Sequence, residues 1–132
     1  IVYFLMNKIL VEVSIGELLD KISILEIKQE KIKDPEKLKF INEEHSILKD
    51  QLNSNVKSDQ KLTELFESLK QINAKLWVIE DDKRQFEKEK DFTDTFIKLS
   101  RYVHFLNDER AKIKLEINNI LGSNIKEVKS HN

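Results

Sequence analysis

Apolar and polar residues alternate from residue 7 to 13, with Ile9, Val11 and Val13 on one side and Leu10 and Glu12 on the other. That period of two predicts a short strand over 8–13. Then the period changes. Ser14-Ile15-Gly16-Glu17 spells a capping box, in which Ser14 accepts the amide of Glu17 and the Glu17 carboxylate reaches back to the amide of Ser14. A first helix follows over 15–33, with Ile15, Leu18, Leu19, Ile22, Leu25 and Ile32 on one face and Ile24 and Ile27 opposite. Asp34-Pro35 stops it and starts the next, because proline lacks an amide and presets φ while Asp34 caps, giving a second helix over 35–52. The polar run 53–58 is a loop of residues that bond their own backbone. A third, unusually long helix over 59–90 gathers Leu62, Leu65, Phe66, Leu69, Ile72, Leu76, Ile79 and Phe86. Asp91-Phe92-Thr93-Asp94 breaks the pattern. A fourth helix over 94–121 aligns Phe96, Leu99, Val103, Leu106, Ile113, Ile117, Ile120 and Leu121, and Gly122 ends it. Residues 125–129 alternate weakly again, so the termini are expected to pair as a small two-stranded ribbon.

These elements predict an all-α fold, an antiparallel four-helix bundle with long helices in a single domain, 1–132. The connections at 34–35 and 91–94 are short enough to force neighbouring, antiparallel packing. Composition agrees with this. Two glycines and one proline are too few for a sandwich or barrel, and 39% apolar residues with balanced charge are too many for a disordered chain. No solenoid repeat or low-complexity tract interrupts the pattern.

The 23 basic and 24 acidic residues leave a net charge of −1, which gives no general attraction to nucleic acid or to an anionic membrane. The absence of cysteine excludes a disulfide framework, a thiolate metal site and a cysteine nucleophile, and suits the cytoplasm. Ile1 to Leu5 are apolar, but Lys8 and Glu12 interrupt before a membrane-spanning length accumulates, and Met6-Asn7-Lys8 reads as a natural start. A cytoplasmic protein with no nucleic-acid or membrane partner is expected.

Polar residues on the apolar faces mark the candidate chemistry. Arg110 sits in the middle of the fourth helix's stripe with Asn107 beside it, while Asn73, Glu80 and Arg84 lie in or beside the third helix's face near Trp77. A buried charge must find a partner. Folding the chain about Asp91 brings Asn73 level with Arg110, and the lean of helical side chains towards their N-termini tilts Glu80 and Arg110 together. The expected arrangement is a buried Arg110–Glu80 pair assisted by Asn73 or Asn107. An anion-binding pocket of Arg110, Glu80, Asn73, Asn107, Lys21 and Lys28 is the alternative, since arginine offers a fork that lysine cannot copy. Trp77 reads as a core or interface anchor. His45, His104 and His131 are scattered outside any Glu-x-x-His pair, no glycine-rich loop cradles phosphate, and Ser14 is spent as a cap. No catalytic residue, metal site or cofactor is therefore expected.

Three stretches carry a resemblance: Ile9 to Lys21 (ILVEVSIGELLDK), Leu76 to Asp81 (LWVIED) and Leu106 to Lys114 (LNDERAKIK). Together they resemble a group of short bacterial helical proteins classed as a domain of unknown function, which implies a small cytoplasmic protein and transfers no residue roles. A looser likeness is to the all-helical chorismate mutases, which bind a dicarboxylate with arginine and lysine between helices. Glu17, Lys21, Lys28, Glu80 and Arg110 are of the right types, although the chain has only three arginines and lacks the full pattern. Two functional readings result. One is a non-enzymatic interaction protein that forms a homo-oligomer through Ile24, Ile27 or the terminal strands, because two apolar residues opposite the main stripe need cover. The other is a small helical enzyme or binder of an anionic metabolite. A deep pocket between helices that holds Arg110 with no carboxylate paired to it favours the second, and a dry, filled core there favours the first.

Overall fold

Three helices begin at a residue whose side chain holds a free amide of the first turn, and Thr93, ahead of the last, makes no such bond. Ser14 Oγ accepts from the amide of Glu17 at 3.1 Å, Asp34 from Glu36 at 3.0 Å and Asp59 from Leu62 at 2.7 Å. The computed structural model describes residues 9–122, and in them the chain is all-helical: α1 (Ile15–Lys31), α2 (Pro35–Asn55), α3 (Gln60–Glu89) and α4 (Asp94–Leu121). Helix α1 stops short of Lys33, with Ile32 already extended on the approach to Pro35. Helix α2 runs past Leu52 to Asn55, whose side chain donates to the Gln51 carbonyl at 2.8 Å and holds the final turn. Residues 9–13 carry no regular structure, and residue 8 and the expected strand 125–129 lie outside the described residues.

All four helices pack, and α1 is central. Its backbone approaches the other three, whereas α2 approaches α1 alone. Leu19 of α1 joins Leu62, Leu65 and Leu69 of α3 and Ile117 of α4 in one buried cluster. Further along, Ile72 and Leu76 meet Leu106 in a second. Beyond it, Phe96 meets Phe86 and Phe92 edge to face near the α3–α4 connection. Ile27, an interface candidate opposite the main stripe, is buried, and Ile24 is half-buried, because α1 packs against its neighbours on that side too. Ile120, expected in the buried stripe, is exposed. Among the described residues of α2, Ile41 alone is buried, while Phe40 and Ile47 face outward.

A buried ion-pair cluster as the candidate functional site

Gly16, Asp20, Ser23 and Ile27 recur every three or four residues, so they share one side of α1. Arg110, Lys114 and Asn118 recur every four along α4. The two polar seams meet. Gly16 allows the approach: a Cβ there would stand 2.5 Å from the Lys114 carbonyl oxygen. The Gly16 amide donates to Asn118 Oδ1 at 2.7 Å, satisfying one of the unpaired donors of the first turn.

Asp20 is the centre of the cluster, only 1% exposed. Arg110 grips it with a two-pronged contact, Nε to Oδ1 at 2.9 Å and Nη2 to Oδ2 at 2.5 Å. Asn73 Nδ2 donates to the same Oδ1 at 2.8 Å and to Ser23 Oγ at 2.8 Å, while Ser23 donates to the Asp20 carbonyl at 2.7 Å. Lys114 bonds Glu17 at 2.7 Å and stands 3.8 Å from Asp20. Arg110 also donates to Asn107 Oδ1 at 3.3 Å. Two carboxylates thus face two cations. Burial pushes the Asp20 carboxyl up, but the bonds from Arg110 and Asn73 and the charges of Arg110 and Lys114 outweigh it and hold the group below its ordinary value.

The expected partner of Arg110 was Glu80, and the structure corrects this. Arg110 is bonded to a carboxylate with Asn73 and Asn107 assisting, but the carboxylate is Asp20, and Glu80 is exposed. Considering α3 and α4 alone left out α1, which inserts a nearer acid. Glu17 likewise leaves its capping-box role half made: its amide bonds Ser14, but its carboxylate is drawn to Lys114. Lys21 is exposed and Lys28 half-buried on the outer side of α1, and neither joins the cluster. Asp20, Ser23, Lys114 and Asn118 escaped the sequence reading. Their recurrence every three or four residues beside an apolar stripe was the available signal.

Two further features adjoin the cluster. An open groove of about 290 Å³ has walls of Ile24, Ile27, Leu76 and Trp77, with Asn73 and Arg110 at its buried end and Glu80, Asp81 and Arg84 exposed at its rim. Across α1, Glu26 joins His45 of α2 at 3.1 Å and Lys70 of α3 at 3.3 Å, and Lys70 also reaches Glu30 at 3.1 Å. Burial lowers the Lys70 ammonium, yet its bonds to Glu30 and Glu26 prevail and raise it. Among the described residues no group of three or more His, Asp or Glu side chains is placed to hold a metal ion, and no helix is long and apolar enough to cross a membrane.

The class these features define is an all-helical domain whose polar interior is an ion-pair cluster. A family model described as Family of unknown function (DUF6165) matches residues 9–132, and the chain belongs to that family. No curated protein and no solved structure matches the chain.

Proposed function

We propose that the chain is a non-enzymatic, self-associating interaction protein of the bacterial cytoplasm, a single antiparallel four-helix bundle whose α3–α4 hairpin packs as a short coiled coil. The observation that carries this reading is the run at residues 9–13, where Ile9, Leu10 and Val11 are 86%, 94% and 74% exposed immediately before α1. An exposed apolar run with period two invites a strand from another chain, or a ribbon with the other terminus. The internal pairing of Arg110 with Asp20 supports the same reading, since a guanidinium fork committed to a protein carboxylate is a poor receptor for an anionic metabolite. Ile27 is buried and Ile24 half-buried along the chain's own groove, which makes residues 9–13 the stronger interface candidate. Nucleic acid and membrane are not among the partners proposed. Sedimentation velocity over a rising concentration series is expected to show reversible dimer formation that Val11→Lys abolishes. A clean monomer at high micromolar concentration would sink the proposal.

A further inference from the structure

Helix α2 approaches α1 and not α3, and a cleft of about 300 Å³ opens between α2 and α3. Leu52 and Val56 line it from α2 and Leu62 and Phe66 from α3, while Lys49 reaches over the Phe66 ring with its Nζ 6.0 Å from the centroid. Val56 and Ser58 also line an adjoining hollow of about 350 Å³, which continues to Ile15 and Leu121. Cleft and hollow make one trough. Ile15, Leu52, Val56, Phe66 and Leu121 are partly buried side chains packed on the Leu19 cluster, so the trough is where that core reaches the surface.

Position, length and charge narrow what fits it. Residues 9–13 stand exposed outside their own chain's trough, although Ile15, two residues on, lines it. An extended run from Ile9 to Val13 spans about 13 Å. The α3 side of the trough, from Asp59 to Glu67, covers about 12 Å at the helical rise. In an extended run Ile9, Val11 and Val13 share the side that can enter, and Glu12 lies on the other. At the rim Lys57 is exposed and makes no ion pair among the described residues. Of the acids, Glu26 holds His45 and Lys70, Asp59 caps α3, and Glu67 lines the cleft and not the hollow where Lys57 stands. We propose that the trough receives residues 9–13 of a second copy, with Ile9, Val11 and Val13 inward and Glu12 on Lys57. Because the trough starts beside the root of the run, a twofold axis near Ile15 lets each copy lay its run in the other, and both contacts form at once. The inference rests on self-association through residues 9–13 and adds the surface on which that run docks.

The chain has no cysteine, so single cysteines can map the contact. Val11→Cys and Val56→Cys, at an exposed and a half-buried position, are made in separate full-length chains, mixed at high micromolar concentration and oxidised. Linked dimer is read on a non-reducing gel. The mixture should link roughly tenfold faster than either variant alone, because a disulfide closes only where the two Cα atoms come within about 7 Å. In sedimentation, Lys57→Glu should weaken the dimer, and Glu12→Lys added to it should restore the dimer. If Val11→Cys links to itself as fast as to Val56→Cys, the runs pair with each other, which overturns the trough and leaves self-association standing. A dimer in sedimentation with no linkage in the mixture does the same. A double variant that closes its disulfide within one chain gives the trough to the chain's own run and overturns the exchange. A dimer indifferent to Lys57→Glu overturns the contact with Glu12. A monomer at the concentration of the experiment ends self-association and the trough together.

Discussion

A buried carboxylate gripped by two N–H groups is costly to leave alone, and the Arg110–Asp20 pair is where a single substitution is expected to tell most. Arg110→Ala strands Asp20 and should cost about 3 kcal/mol, the lower end for a broken buried pair because the guanidinium side chain is 28% exposed. Arg110→Lys should recover only part, since an ammonium cannot make both parallel bonds. Urea unfolding of the two variants measures both. The same pair sets an acid limit. The folded-state carboxyl lies below its ordinary 3.8, so its contribution is fully present above that value and is lost as the pH falls through the lower folded-state value. Asp20→Asn should flatten the acid limb of the stability profile, and an unchanged limb would remove Asp20 as its cause. Gly16 gives a second residue-scale test in which two effects oppose. Alanine gains roughly 1 kcal/mol of helix propensity, but its Cβ meets the Lys114 backbone at 2.5 Å and Asn118 Oδ1 at 3.0 Å. Overpacking against backbone costs about 1–3 kcal/mol and should win, so Gly16→Ala is expected to destabilise.

At the scale of elements, the chain was largely legible where a local rule acts. Ser14, Asp34-Pro35 and Gly122 mark their helix ends as capping and left-handed geometry require. What was not legible is which helix faces which. The Arg110 stripe was evident, but Glu80 was chosen because α3 and α4 are joined by a short connection, whereas α1 comes in from far along the chain to place Asp20 there. Local periodicity gives a face and no address. The exposed flank of α2 shows the same limit, because its Phe40 and Ile47 obey no inward stripe. One helix end also departs from the favoured chemistry. Lys90 closes α3 in the left-handed region with φ 53, where glycine has no Cβ penalty. Lys90→Gly should therefore raise the unfolding free energy by up to about 1 kcal/mol. A loss instead would mean that the lysine side chain has a stabilising role at the α3–α4 connection that its backbone strain conceals.

For the molecule as a whole, the proposed self-association would link stability to assembly. If residues 9–13 pair with a second copy, the folded dimer is favoured by mass action and the melting temperature rises with protein concentration. The expectation follows from where the apolar surface lies: Leu19, Leu69 and Ile117 are sealed inside, while Leu10 and Val11 stand open at the start of α1. A strand edge is weakened most simply by a charge, so Val11→Lys should remove the concentration dependence while leaving the melting temperature of the dilute protein nearly unchanged. Ile41→Ala is the matched control. It thins the α1–α2 contact inside one chain, so it should lower the melting temperature by the same amount at every concentration, for a cost of about 2 kcal/mol or more. The two variants separate assembly from folding. A melting temperature that ignores concentration in the unaltered protein would leave the exposed run at residues 9–13 without the role assigned to it.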